Sequence, residues 1–150
     1  MMFKTHLIVG FLIGLILSQT FKHSNEIIFA LFVMLAAVFP DIDSVKSKVG
    51  RNFLIGYLFK HTGIFHSVFF AGLITLFIYY LTNYIFAFAF LIGYLSHIMM
   101  DAFTVAGVAF LYPLSKIKVR GIIRTGKFGE KMLFLILIVL NLYVIVKYML

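Results

Sequence analysis

HTGIFHSVFFAGLITLFIYYLTNYIFAFAFLIGYLSHIMM, residues 61–100, runs for forty residues without a Lys, Arg, Asp or Glu. A membrane-crossing helix needs about 20 apolar residues, so this run is too long for one crossing and suits a helical hairpin. Its turn is expected at Thr82-Asn83, because Asn favours turns and Tyr79, Tyr80 and Tyr84 suit a water–lipid boundary. Outward from there, uncharged runs at Leu7–Phe21, Ile27–Phe39 (ending at Pro40) and Met132–Val146 predict three more helices. At ~1.5 Å per residue, runs this short fall below the ~30 Å hydrocarbon core. The helices are therefore expected to continue past their flanking charges, with lysines reaching back to the interface.

Composition agrees with that reading. The chain has 150 residues, of which 63% are hydrophobic and 12% charged, and Phe alone supplies 19. Soluble domains carry about 45–50% apolar residues, so an ordinary soluble domain, a disordered chain and a disulfide scaffold are all excluded. The expectation is an all-α integral membrane bundle of about five transmembrane helices, forming a single domain over residues 1–150. Phe53–Phe59 is too short to cross. Ala102–Ser115 is uncharged but interrupted by Gly107 and Pro113, so it reads as an interfacial or re-entrant segment. The basic start resembles a signal sequence, but no small-x-small cleavage site follows, so it reads as a retained first helix.

With five crossings, the N-terminus, residues 40–60 and residues 101–131 share one side. Those segments hold 11 of the 13 basic residues; only Lys22 and Lys147 lie opposite. This asymmetry predicts a multi-pass protein of the cell membrane with its N-terminus in the cytoplasm. The net charge of +8 then reads as topology and contact with anionic membrane lipids rather than with nucleic acid.

The ionisable residues are concentrated. All three Asp and four of the five His fall in four short motifs: His6; Pro40-Asp41-Ile42-Asp43; His61-Thr62-Gly63-Ile64-Phe65-His66-Ser67; and Ser96-His97 with Asp101. Each sits at the predicted cytoplasmic end of a helix, although that topology rests on Lys and Arg alone. His97 and Asp101, at i and i+4, share a helix face. Asp41 and Asp43 would point the same way in an extended chain, and a bend at Gly63 would turn His61 and His66 inward together.

Taken singly, each motif has a structural explanation. Asp-x-Asp after proline can be a helix cap, His-x-x-x-Asp a hydrogen-bonded pair, and His23 a solvated side chain. Together, in a chain with five acidic residues, they predict a metal site, because ionisable groups near a membrane are costly to bury. The chain has no cysteine, so the ligands are nitrogen and oxygen: His6, Asp41, Asp43, His61, His66, His97 and Asp101. Imidazole with carboxylate suits zinc, manganese, iron or nickel. The surplus over one four-coordinate ion suits two ions, or one ion with supporting partners and a catalytic base, Asp41 or Asp43. The basic run Lys116–Lys131 reads as a solvated loop on anionic lipid, with Lys116, Arg120 and Arg124 as groups that could steer substrate.

At these motifs the sequence resembles the membrane-bound metal-dependent hydrolases typified by YdjM, a LexA-regulated bacterial inner-membrane family. The resemblance covers roughly residues 5–131, in Pro-Asp-Ile-Asp at 40–43, His-x-Gly-x-x-His-Ser at 61–67, and Gly-Tyr-Leu-Ser-His at 93–97 leading to Asp101, Gly107 and Pro113. It implies hydrolysis of a phosphoester, such as a phospholipid headgroup, at the cytoplasmic leaflet, with zinc as the first choice of metal and manganese or iron next. More distant relatives, zinc-dependent phospholipase C and P1-type nucleases, also use a His-x-x-x-Asp pair, which corresponds to His97 and Asp101. Thr62 stands where the family usually has Arg, with Lys60 nearby to replace it. Phe65 stands where the family has Thr, and Val105 and Ala109 where it has prolines. Gly126 and Glu130 resemble a feature before the family's last helix, making Glu130 an additional candidate ligand.

Two other functions would use the same ligands: transport of divalent metal or protons, and a silent membrane adaptor with a structural metal. Transporters favour ligands near mid-membrane and internal repeats, whereas these motifs lie at helix ends and no repeat is visible. A closed structural site needs fewer groups.

Overall fold

A chain that cannot give its backbone groups to water satisfies them within each segment, and only the helix does so locally. The computed structural model of the protein describes residues 1–21, 26–43 and 64–149, and the side chains of all of these except residues 20, 21, 42, 43 and 149. These form five α-helices: α1 Phe3–Phe21, α2 Glu26–Ala36, α3 Val68–Leu81, α4 Tyr84–Ala102 and α5 Phe128–Met149. Short 3-10 turns occupy Phe39–Asp43 and Ile64–His66. No strand occurs among the described residues.

The hairpin turn lies where the sequence places it. The Thr82 N–H closes α3 on the Ile78 carbonyl at 2.9 Å. The Asn83 side chain then starts α4 by accepting from the N–H groups of Ile85 (2.9 Å) and Phe86 (3.2 Å), satisfying two of the donors a helix start leaves open. Helices also run past their charges as expected: α1 takes in Lys4 and His6, and α5 takes in Glu130, Lys131 and Lys147.

At the centre, α2 is wedged between α1 and α4, and the wedge is made of small residues. A Cβ added at Gly14 would stand 2.5 Å from the Ala30 Cα, and one at Gly93 would stand 2.4 Å from the Val33 carbonyl oxygen. Helices in lipid associate through such close backbone approach, having no hydrophobic drive between them. Gly93→Ala should therefore lower the denaturation midpoint in detergent, by the ~1–3 kcal/mol typical of overpacking. Gly72→Ala, whose Cβ meets nothing within 4 Å, is the matched control, and an equal loss there would contradict the wedge.

The outer helices complete the bundle. α5 runs parallel to α1, pairing Leu137 with Val9 and Val144 with Leu15 in turn. α3 packs on α4 through Ala71, Phe90, Tyr94 and Ile98. Outward, α3 and α5 show Leu73, Leu76, Phe77, Leu135, Val139, Leu142 and Val146 as exposed side chains. An apolar surface of that extent belongs against lipid.

Two helices, Tyr84–Ala102 and Phe128–Tyr148, are long and apolar enough to cross a membrane. Phe3–Gln19 and Val68–Leu81 are apolar but shorter. α2, at 11 residues, spans only about 16 Å. Among the described residues five helices are thus present, and two of them meet full crossing length. α2 stops early because the chain tightens into the 3-10 turn around Pro40, whose ring carries no N–H donor.

The stretch between α4 and α5, read from sequence as interfacial or re-entrant over Ala102–Ser115, is neither helix nor sheet. It folds on itself through two isolated pairings, Thr104 with Ile123 and Val108 with Val119. Val108 is buried in the core with Ala71 and Tyr94, and the Phe110 carbonyl accepts from the Val68 N–H at 2.9 Å, closing the start of α3.

Candidate metal centre

Four separate elements deliver ionisable side chains to one end of the bundle. His6 comes from the start of α1, Asp41 from the 3-10 turn after α2, His66 from the turn before α3, and His97 with Asp101 from the last turns of α4. The other end carries the Thr82-Asn83 turn and a hydrogen bond from Gln19 Nε2 to Glu26 Oε2 at 2.7 Å, which clasps α1 to α2.

Local structure explains why each group arrives. His66 ends a turn fixed on both sides. The Ser67 hydroxyl donates to the Ile64 carbonyl at 2.7 Å and accepts from the Phe70 N–H at 3.2 Å, capping α3. The Tyr94 hydroxyl donates to the Phe65 carbonyl, tying the turn to α4. Gly93 and His97 lie one helical turn apart on α4. Gly93 lets α2 come close, and His97 Nδ1 stands 2.8 Å from the Ala37 carbonyl oxygen. A carbonyl can only accept, so Nδ1 carries the proton and Nε2 keeps its lone pair. Histidine ligands in metal sites are oriented in this way.

The remaining distances define one cluster. His97 Nε2 is 3.4 Å from Asp101 Oδ2, 3.9 Å from Asp41 Oδ1 and 3.3 Å from His66 Nε2. His66 Nε2 is 3.8 Å from Asp101 Oδ2 and 4.0 Å from Asp41 Oδ1. His6 stacks on His97 at 3.8 Å between ring centres and brings its Nε2 to 3.3 Å from Asp101 Oδ1. The Met1 amino group also contacts Asp101 Oδ1. Two ligand triads result, His6–His97–Asp101 and Asp41–His66–His97, each with its ligand atoms within 4.8 Å of one another. His97 belongs to both, and Asp101 turns one oxygen towards His6 and the other towards His66 and His97.

The donor set fits a borderline divalent cation. It offers three imidazoles and two carboxylates with no thiolate, which is the chemistry of zinc, manganese or iron. His6 Nδ1 is buried and makes no hydrogen bond among the described residues, while Nε2 faces Asp101 Oδ1 at 3.3 Å. An unsatisfied buried polar atom costs ~1–3 kcal/mol, and a cation on one nitrogen would relieve that cost.

Of the residues expected from sequence, His6, Asp41, His66, His97 and Asp101 come together. His61, Lys60 and the side chain of Asp43 lie outside the described residues. The backbone of Pro40-Asp41-Ile42-Asp43 is a 3-10 turn and not the extended chain on which the i, i+2 expectation rested. Glu130 stands outside both triads. It is fully buried, and its carboxylate accepts from the Met2 N–H (2.6 Å), the Thr5 hydroxyl (3.2 Å) and the Gly126 N–H (2.5 Å). Glu130 therefore fastens the start of α5 to the start of α1 and belongs to neither triad. Lys116, Arg120 and Arg124 are exposed on the stretch between α4 and α5.

Sequence reasoning missed the groups that hold the ligands. The Ala37 carbonyl has no signature, since every residue carries one. Tyr94 did lie in the quoted Gly-Tyr-Leu-Ser-His motif, three residues before His97, and that spacing was the available signal.

The match to known proteins covers the same ground. The family model described as YdjM inner membrane protein matches residues 1–150. A protein of Bacillus subtilis (strain 168), described as uncharacterized protein YvsG, is 32% identical over 138 residues, covering 86% of this chain and 84% of that protein. No solved structure matches the chain significantly. With the family model matching residues 1–150, the chain belongs to the YdjM inner membrane protein family.

Proposed function

We propose that the protein is a multi-pass, metal-dependent hydrolase of phosphoesters, working at the membrane surface on a substrate the size of a phospholipid headgroup. The observation that carries this reading is the meeting of His6, Asp41, His66, His97 and Asp101 from four elements. It also takes the five helices as five crossings, with the site end in the cytoplasm, supported by the 11 of 13 basic residues on that side.

His97, held by the Ala37 carbonyl, would bind metal through Nε2, together with His6, His66 and Asp101. A divalent ion there would supply the Lewis acidity that makes water a usable nucleophile near neutral pH. Asp41 is the base: its carboxylate accepts the water proton as the water oxygen adds to phosphorus. The bond from phosphorus to the leaving alcohol oxygen breaks, and the proton passes from Asp41 to that oxygen. The products are the alcohol and the phosphate.

The test is turnover by purified protein in detergent on phosphomonoesters, phosphodiesters and anionic phospholipids. Activity should vanish on chelation and return with zinc or manganese. Asp41→Asn should keep the metal and lose ~10²–10⁴-fold in rate, the usual worth of a general base. Stoichiometric metal with no hydrolysis of any substrate, together with metal flux into liposomes, would replace this reading with transport.

A further inference from the structure

The stretch joining α4 to α5 carries a second surface, independent of the metal chemistry. It connects the two helices long and apolar enough to cross a membrane, so it lies where the chain leaves the hydrocarbon. Between Asp101 and Glu130 there is no acidic residue, and Lys116, Lys118, Arg120, Arg124 and Lys127 all fall there. Large apolar side chains alternate with these charges and are far more exposed than a water-facing loop requires: Leu114 is 79% exposed, Ile117 78%, Ile122 92% and Phe128 77%. Single exposed apolar residues need no explanation, but a patch of them rimmed by one sign of charge marks an interaction surface.

The backbone beneath is built. Val108 and Val119 exchange N–H and carbonyl at 3.0 Å in each direction. The Val105 N–H donates to the Ile123 carbonyl, and the Ile123 N–H to the Phe103 carbonyl, both at 3.0 Å. Thr104 Oγ1 donates to the Asp101 carbonyl at 2.7 Å and accepts from the Gly107 N–H at 3.2 Å. The charges and apolar tips are thus displayed on a preformed frame, with less ordering cost on binding.

We propose that residues 103–127 form a shelf seated in the headgroup layer of an anionic leaflet. Ile117, Ile122 and Leu114 enter the acyl boundary, while Lys116, Arg120 and Arg124 bind phospholipid phosphates. Charge complementarity selects this partner: anionic lipid attracts juxtamembrane Lys and Arg, and a bilayer also receives the apolar tips, which nucleic acid would leave in water.

The chain contains no tryptophan, so Ile117→Trp and Ile122→Trp, both at exposed positions, each introduce a single reporter into the full-length protein. In vesicles of phosphatidylcholine mixed equally with phosphatidylglycerol, both should show blue-shifted emission quenched by acyl-brominated lipid. In neutral-detergent micelles titrated with phosphatidylglycerol, adding Lys116→Gln, Arg120→Gln and Arg124→Gln to the Ile122→Trp protein should raise the half-point at least ~10-fold, since each surface charge is worth about 1 kcal/mol, or five-fold. Water-like emission open to iodide in every lipid would overturn the shelf. So would equal burial with and without phosphatidylglycerol, or a response to an oligonucleotide in place of the lipid. Either reporter suffices if the other fails to fold, and no outcome depends on whether the protein hydrolyses anything.

Discussion

His97→Ala should strip the protein of divalent metal. His97 is the one residue shared by both triads, so its loss leaves each with two ligands. Losing an outer-shell partner alone usually costs ~10–100-fold in metal affinity, and losing the shared ligand should cost at least that. Metal content measured by mass spectrometry, and affinity measured by titration calorimetry, should fall together. Tyr80→Ala, at an exposed position on α3 beside the far turn, should change neither. Because His97 is buried, the folded fraction must be followed by the denaturation midpoint, and His66→Ala provides a second route to the same loss. Full metal retention in both folded variants would remove the triads from consideration.

Glu130→Ala is expected to act in the opposite manner, costing stability and sparing the ligands. Its carboxylate serves three donors: the Met2 N–H, the Thr5 hydroxyl and the Gly126 N–H. Of these donors the Thr5 hydroxyl is buried, Met2 half-buried and Gly126 exposed, so the loss is set by one buried donor left without an acceptor, about 1–3 kcal/mol of the roughly 5–15 kcal/mol that keeps a domain folded. The denaturation midpoint in detergent should fall sharply, while the protein that stays folded keeps its metal. Glu130→Gln retains one acceptor oxygen and should recover part of the loss. An unchanged midpoint with metal lost would return Glu130 to the ligand set.

These two residues show what the sequence could and could not disclose. His97 and Asp101 are legible because helical spacing alone puts them on one face, and the helix forms as the apolar run requires. The Thr82-Asn83 turn is legible for the same reason: a forty-residue uncharged run must reverse, and Asn is where it can. Glu130 was open to two readings, because a buried carboxylate near a cluster of ligands has the same residue type whether it binds metal or caps backbone N–H groups. Only the partners decide, and they come from Met2 and Thr5, more than a hundred residues away. The backbone of Asp41-Ile42-Asp43 was not legible, since the sequence suited an extended chain and the stretch folds as a 3-10 turn. The tight packing of α2 was hidden as well. Gly14 and Gly93 declare close approach only once Ala30 and Val33 are known to lie opposite.

The Lys116–Lys131 run was half legible. Its charge is plain in the sequence, but a basic loop in water and a basic shelf in a leaflet differ by where the interleaved Ile117 and Ile122 point. Their exposure, and the backbone pairing of Val108 with Val119, could not be read from composition.

The central claim is that His6, Asp41, His66, His97 and Asp101 are a metal centre. Anomalous scattering from crystals of the protein purified without chelator, recorded on both sides of the zinc and manganese absorption edges, tests it most directly. The account predicts a peak where His97 Nε2, His66 Nε2 and Asp101 converge, beside Asp41 as the base, with or without a second near His6, and its absence in His97→Ala. Crystals soaked in zinc or manganese that show no peak there, or a peak only elsewhere on the protein, would contradict it.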